Sequence, residues 1–270
     1  VYVSDLVPPH RLSVIENYTQ GVGIDIHTLP HNSDGTLDLG AATSAAGSCA
    51  VYVEQPNSLG LLDEGLMGLR EAIGQSTALI VGVDAVSLGV IEPPGSWGAD
   101  IMVGEGQPFG IGPTAGGPIY GLFACSKEFL RLMPGRIVGQ SIDSEGKTAY
   151  TLTLSTREQH IRRHRATSNI CSNETLIALM GAMHMALLGP EGLEKLATRI
   201  YSSTRQTLEA VTSIPGVELV NQGGCFFREF AIRLPGQAKE ALESMYADGV
   251  IGGVSLGNWW PEMSDCILIG

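Results

Sequence analysis

Short apolar runs alternate with segments of helical period over the first half of the chain. A helical pattern starts behind Pro8 and Pro9, where proline is tolerated in a first turn, and ends at Gly21. A second helical pattern covers residues 61–73. Strand patterns lie at residues 1–4, 22–29, 49–53, 78–83, 100–103 and 120–125. Strands that alternate with helices at this spacing predict βαβ units and a mostly parallel sheet, so the fold class is α/β.

The second half of the chain follows a different pattern. Residues 136–138 and 149–154 flank the glycine turn 143–147 and predict an antiparallel hairpin. A charged segment, 155–165, precedes an apolar helix over 174–188, which Ser172 or Asn173 can cap. Residues 189–192 interrupt it, and a second helix covers 193–211. Strands at 217–220, 226–234 and 250–255 and a helix at 237–247 predict a small second domain. We therefore expect a large α/β domain (1–154), a charged segment with connecting helices (155–212) and a small C-terminal α/β domain (213–270).

Composition excludes several classes of function. The 270 residues are 44% apolar, which is enough to bury a core. A net charge of −12 argues against a nucleic-acid partner, because phosphate binding requires a basic surface. We find no uninterrupted apolar run of the roughly 18 residues that a membrane span needs and no secretory signal pattern, so no membrane partner is expected.

Five scattered cysteines without a Cys-x-x-Cys pair predict buried free thiols in a reduced cytoplasm. The chain opens inside a strand pattern at Val1 and closes on a strand at 266–270. We therefore expect a fragment of a longer chain.

A glycine-rich loop follows the strand at 100–103 and extends to Pro118. In open α/β sheets, ligands bind at the carboxyl ends of strands, and glycine lets the backbone approach them closely. The loop matches neither G-x-x-x-x-G-K-[ST] nor G-x-G-x-x-G, so it is either a ligand loop or a plain connection.

Four of the twelve arginines lie within residues 157–165 of an otherwise acidic chain. The planar guanidinium suits carboxylates and phosphates, which favours an anion or a partner contact. A solvated charged segment or salt bridges to a neighbouring subunit would give the same pattern. Of the six histidines, only His160 and His164 have metal-ligand spacing, and they lack the H-E-x-x-H glutamate, so we expect no metal. His184 lies in the apolar helix and is expected to be a packed core histidine.

Several stretches together resemble the P-protein, the glycine decarboxylase of the glycine cleavage system, in its subunit 1 form. The most specific is Arg-Glu-Gln-His-Ile-Arg-Arg at residues 157–163. The others occur in the same order along most of the chain, at residues 93–100, 104–110, 116–118, 133–139, 166–171 and 188–192.

The resemblance implies a fold-type-I pyridoxal-phosphate architecture. It also implies decarboxylation of glycine, with the aminomethyl group passed to the lipoyl arm of H-protein. An enzyme of this kind needs a lysine for its Schiff base, yet the chain has only Lys127, Lys147, Lys195 and Lys239. The family pattern places Gln107 at the lysine position, and glutamine cannot form an imine.

The resemblance therefore implies a copy that lacks the catalytic lysine and completes a site with subunit 2, which holds the pyridoxal phosphate. Two alternatives stay open: half of a fused single-chain enzyme, or a purely structural subunit. A self-sufficient pyridoxal-phosphate enzyme would need its lysine in a segment that this chain lacks. The chain order of fold-type-I enzymes argues against this alternative, because their lysine follows a strand that is present here. Candidate contacts to cofactor, substrate or interface are Arg157, His160, Arg162, Arg163, Thr167, Asn169, Gly104, Gly106, Gly116 and Gly117.

Overall fold

Six strands form the main sheet in the order β2-β1-β3-β4-β5-β6. They are β1 (Tyr2–Ser4), β2 (His27–Leu29), β3 (Ala50–Gln55), β4 (Ala78–Val83), β5 (Ile101–Glu105) and β6 (Gly121–Cys125). The pairs among β1 to β5 are parallel, whereas β6 runs antiparallel to β5 at the edge. This computed structural model describes residues 1–114, 116–135, 137–153, 163–166 and 174–270. The predicted α/β class and mostly parallel sheet are confirmed.

The central strands are apolar because both of their faces are covered, as is usual in parallel sheets. Val51, Val53, Leu79 and Val81 are 0–2% exposed and belong to one core cluster. Leu69 and Ile73 of helix α3 (Leu69–Ile73) complete this cluster from one face. This packing fixes the register of β3 and β4, whose carboxyl ends therefore lie side by side at one edge of the sheet.

The first helix matches the predicted bounds, whereas the helical segment predicted at 61–73 differs from its prediction. Helix α1 (Pro9–Gln20) begins at the predicted prolines, and α2 (Leu39–Ala42) is capped by the Asp38 carboxylate. The single helix predicted at 61–73 is wrong, because the structure has a 3-10 helix (Glu64–Gly68) followed by α3. Asp63 accepts the backbone N–H groups of Leu37 and Gly65, which starts the helix at this point.

Several predicted strands are shorter in the structure. The strand predicted at 22–29 is reduced to β2, because the N–H groups of Val22 and Ile24 donate to Thr19 O at the end of α1. The strand predicted at 250–255 is reduced to β11 (Val254–Ser255), since Val250 N donates back to Met245 O. The strand predicted at 226–234 is reduced to β10 (Phe230–Arg233).

The predicted hairpin is confirmed as β7 (Ile137–Ile142) and β8 (Thr148–Thr153). Its turn is held by the Asp143 carboxylate, which accepts the N–H groups of Glu145 and Lys147. Lys127 lies in a run of turns after β6.

The predicted break between two helices is also confirmed. Helix α4 (Thr175–Thr212) is interrupted at Gly189, whose φ of 61° and ψ of −178° are not helical, with Pro190 directly after it. By length and composition alone, α4 is apolar enough to cross a membrane, and little of its apolar part is buried. Residues 175–188 before the break extend about 21 Å, which is less than the roughly 30 Å of a bilayer core.

The C-terminal part forms a four-stranded sheet in the order β11-β12-β10-β9, with α5 (Ala238–Ala247) against it. Here β9 is Glu218–Leu219 and β12 is Cys266–Ile269. All its pairs are antiparallel. Leu6 and Leu59 of the N-terminal part pack into its core, so the two sheets share a hydrophobic cluster.

The thiols differ from the sequence expectation. Among the described cysteines only Cys266 is buried, and burial raises the pKa of its thiol to about 12. Cys49 directly precedes β3 and Cys225 lies in the loop before β10, and both are exposed. Cys171 lies outside the described residues. The prediction that the thiols are buried is therefore wrong for Cys49 and Cys225.

Candidate functional site

A cavity of about 530 Å³ opens at the carboxyl ends of β3, β4 and β5. We call it the crevice. Helix α1 contributes Arg11 to its wall, and the C-terminal part contributes Arg228, Glu229 and Trp259. The position agrees with the general rule that open α/β sheets bind ligands outside the carboxyl ends of their strands.

Glu54 is the central carboxylate on one side of the crevice. It lies near the end of the buried strand β3 and is 6% exposed. The Arg11 Nη1 donates to Glu54 Oε2 at 2.5 Å, and the Tyr52 hydroxyl donates to Glu54 Oε1 at 2.9 Å. Burial, followed by the neighbouring Glu54 charge, raises the pKa of Tyr52, so this hydroxyl stays protonated and donates. Both oxygens of Glu54 are therefore bonded within the protein.

Asp84 follows β4 and occupies the other side of the crevice. Arg228 Nε lies 2.8 Å from Asp84 Oδ2, and Arg228 Nη2 donates to Asp84 Oδ1 at 3.4 Å. Oδ1 also accepts the Val86 N–H at 3.0 Å, which fixes the carboxylate at the start of the turn. The Nε contact is an ion pair without hydrogen-bond geometry, and the guanidinium donates its one hydrogen bond to this carboxylate from Nη2.

Two more carboxyl groups line the crevice. Desolvation raises the pKa of Glu229 and also that of Glu105 at the end of β5. The crevice thus holds four carboxyl groups and two guanidinium groups, which gives a formal charge of −2 when all are ionised.

Gln107 also lines the crevice and is half-buried. Its Nε2 donates to Gly112 O at 3.4 Å, within the same loop. All four lysines of the chain lie in described segments and are exposed, and none lines the crevice. The crevice of this chain therefore has no amine that can form an imine.

The structure separates the predicted loop glycines. Gly104 lies in β5 and lines the crevice, where a Cβ would come within 3.0 Å of Val83 O. Gly106 is buried against the ring of Tyr120, and its Cβ would lie 2.3 Å from Tyr120 Cε2. Gly116 and Gly117 are not among the crevice residues, and Gly117 instead contacts Thr114.

Most of the predicted arginine-rich site cannot be placed. Arg157, His160, Arg162, Thr167 and Asn169 lie outside the described residues. Arg163 begins a short 3-10 helix (Arg163–Arg165) and is exposed. The roles predicted for these side chains stay predictions.

Of the described histidines, His10 lines the crevice beside Trp259, with 5.8 Å between the ring centroids. His184 is half-buried rather than in the core, and the glycine at position 110 gives its side chain room: a Cβ there would lie 2.9 Å from His184 Cβ. The prediction of a core histidine is wrong, because this part of α4 contacts a loop instead of a second layer. In the segments that the structure describes, no group of three or more His, Cys, Asp or Glu is placed to hold a metal.

The sequence reasoning missed the ion-pair network of the crevice. Glu54 carried a usable signal, since an acidic residue near the carboxyl end of a buried strand faces the ligand edge of the sheet. Arg11 and Arg228 carried none, because they reach the crevice from 43 and 144 residues away.

A mostly parallel sheet with an antiparallel edge strand, a crevice at its carboxyl ends and a small C-terminal sheet defines the architecture of fold-type-I pyridoxal-phosphate enzymes. A solved structure of sphingosine-1-phosphate lyase from Burkholderia pseudomallei K96243 has this fold, with a TM-score of 0.65 at 14% identity over 99% of this chain and 57% of that one. Residues 1–255 match the profile of the glycine cleavage system P-protein family, and the chain belongs to that family.

Relatives within the family are considerably more similar. A curated protein of Nitratidesulfovibrio vulgaris, named "Probable glycine dehydrogenase (decarboxylating) subunit 1", is 40% identical over 269 residues. The match covers 99% of this chain and 60% of that protein. A crystal structure of glycine decarboxylase (P-protein) in inhibitor-bound form superposes with a TM-score of 0.89 at 37% identity, over 100% of this chain and 60% of that one. The chain thus spans about 60% of the proteins that it matches.

The residues of the crevice do not fit covalently bound pyridoxal phosphate. The group needs a lysine amine for its Schiff base, an acidic or arginine partner for its ring nitrogen and donors for its phosphate. The crevice offers Gln107 in place of an amine, and its candidate ring partner, Asp84, is paired with Arg228.

Proposed function

We propose that this chain is part of a glycine decarboxylase of the glycine cleavage system and acts there as subunit 1 beside a second subunit. The proposal is supported by the family membership and by the names of the relatives, which number the protein as one subunit of decarboxylating glycine dehydrogenase. The assembly would decarboxylate glycine and pass the aminomethyl group to the lipoyl arm of H-protein. We expect it to act in the cytoplasm.

Gln107 is the observation behind our proposal that the second subunit, and not this chain, binds the cofactor. In a fold whose ligand edge lies at the ends of β3 to β5, this chain presents an amide there and keeps its four lysines elsewhere. Pyridoxal phosphate supplies the electron sink of such a reaction when bound, and we assign it to the second subunit.

We further propose that the arginine-rich segment completes the site of the partner. Arg157, Arg162 and Arg163 are suited to carboxylates and phosphates, and His160, Thr167 and Asn169 add hydrogen-bonding groups. Support comes from their concentration in a chain of net charge −12 and from the exposure of Arg163.

Expression of the full-length natural chain with and without subunit 2 tests the assignment. After gel filtration, we expect pyridoxal phosphate to be retained by the complex and absent from this chain alone. Release of carbon dioxide from labelled glycine is expected only from the complex. Retention of pyridoxal phosphate by this chain alone would refute the assignment of the cofactor to the second subunit.

Substitution of the arginine-rich segment separates a site-completing subunit from a purely structural one. Arg162→Lys and His160→Gln are expected to lower turnover while the complex still assembles. Arg205→Lys is the matched control, because Arg205 is 62% exposed and pairs with Glu209 on the surface of α4. Unchanged turnover in both test variants would instead support a purely structural subunit.

A further inference from the structure

We propose that the crevice of this chain is an ion-paired joint that excludes pyridoxal phosphate, so that a lysine restored at position 107 is not sufficient for cofactor binding. This inference rests on the proposed function, in which the second subunit holds the cofactor. It goes further, because three features of the crevice besides the missing amine oppose the cofactor, and the same features give the crevice a structural role.

The first obstacle is the pairing of Asp84. A carboxylate at the end of a central strand can serve the ring nitrogen of pyridoxal phosphate as an ionic partner. Here Arg228 lies against both oxygens of Asp84, at 2.8 and 3.4 Å. A cofactor ring would have to displace this guanidinium and leave it in the crevice, where a cation disfavours a protonated ring nitrogen.

The second obstacle is the Glu54 network. Arg11, Glu54 and Tyr52 fill one side of the crevice with a buried carboxylate whose two oxygens are both bonded. Binding of a phosphate next to Glu54 would require either displacement of Arg11 or close approach of two anions. The Glu54 side chain is 5% exposed whereas that of Arg11 is 52% exposed, so displacement of Arg11 would leave a buried carboxylate without its cation, which opposes opening of the network.

The third obstacle is the charge of the lining. Glu105 and Glu229 have no cationic partner among the ion pairs of the described residues, and the six charged groups sum to −2. A phosphate ester carries nearly two negative charges at neutral pH and requires N–H donors or cations. When these carboxyl groups are ionised the lining repels the phosphate, and when they are protonated they still supply no cation to anchor it.

The same contacts explain what the crevice does instead. Arg11 ties α1 to the end of β3, and Arg228 ties the C-terminal part to the end of β4. Gly60 lies beside these pairs, and a Cβ on it would lie 1.9 Å from Glu229 O, so the two backbones approach closely. The crevice thus joins the two sheets.

A labelling experiment tests the exclusion. The full chain and its Gln107→Lys variant are incubated with pyridoxal phosphate, reduced with borohydride and mapped by peptide mass spectrometry. We expect the labelled fraction at position 107 to exceed the labelled fraction at the exposed Lys195 by no more than about twofold. The reason is that nearby carboxylates keep the new amine protonated. Gln107→Met is the control without an amine. Calorimetry of the unmodified chain with pyridoxal phosphate requires no variant, and we expect no binding.

The outcomes separate the two proposals. Selective, stoichiometric labelling of Gln107→Lys with no binding by the unmodified chain would overturn the exclusion and leave the proposed function intact. Retention by the unmodified chain would overturn both. The joint has its own test: Arg228→Gln and Glu54→Gln should each lower the melting temperature by about 4 °C or more, and Arg205→Gln by less than about 1 °C. Equal shifts in all three would refute the joint.

Discussion

Gly106 offers a test of how the loop after β5 is built. The ring of Tyr120 lies directly over it, and an added Cβ would come within 2.3 Å of Cε2 and 2.4 Å of Cζ. Ordinary contacts begin near 3.4 Å, so Gly106→Ala requires a displacement of about 1 Å. Tyr120 has little room to move, because it is 7% exposed and its hydroxyl faces Gly181 of α4, where a Cβ would lie 1.8 Å away.

We expect Gly106→Ala to destabilise the chain by about 1–3 kcal/mol, the usual cost of overpacking a well-filled site. With a urea slope of about 3 kcal/mol/M, the unfolding midpoint should fall by about 0.3–1 M. Gly112→Ala is the matched control in the same loop, because its Cβ has nothing within 4 Å and no positive φ is involved.

A double-mutant cycle isolates the cause. If the ring of Tyr120 produces the cost, Gly106→Ala should lose most of it in a Tyr120→Ala background, since the space is then free. An equal cost in both backgrounds, or an equal cost for Gly112→Ala, would show that the Tyr120 ring is not responsible.

Three further predictions concern the described core and its ion pairs. The 2.9 Å hydrogen bond to Asp5 raises the pKa of His31, so its stabilisation is complete below the unfolded pKa of about 6.5 and is lost as pH rises through the folded value. His31→Gln should therefore lower the melting temperature at about pH 6 more than at about pH 8, and a uniform shift would contradict this. Arg70 is 11% exposed and bonds Asp100 at 2.5 Å as well as three backbone carbonyls. Arg70→Met should lower the free energy of unfolding by about 2–3 kcal/mol, measured by urea denaturation. This is below the range for a fully buried pair, because Asp100 is 26% exposed. A loss under about 1 kcal/mol would contradict the prediction. Phe227 is fully buried in a cluster with Ala197 of α4 and with Val86, so Phe227→Ala should cost about 3–5 kcal/mol in the same assay and Phe227→Leu under about 1.5 kcal/mol. Similar costs for the two variants would refute a packing role.

The order of elements was predictable because local rules decide it. Alternating apolar runs determined the parallel sheet, the 143–147 turn determined the hairpin, and the glycine and proline at 189 and 190 broke the long helix. Strand ends were less predictable. Residues 22–24 have the apolar pattern of a strand, yet their N–H groups bond back to the end of α1. A periodicity pattern does not show that the end of a helix competes with a sheet for these N–H groups.

The sequence by itself also determined that the glycine-rich loop has no amine, since residue 107 is glutamine and the four lysines lie elsewhere in the chain. Only the tertiary structure decided which charged side chains surround this loop. Arg228 and Asp84 are 144 residues apart, and Arg11 and Glu54 are 43 apart. Their pairing depends on the crossing of α1 and the C-terminal part over the ends of β3 and β4. Local sequence sets which residues form a strand, whereas the path of the whole chain sets which charges meet at its end.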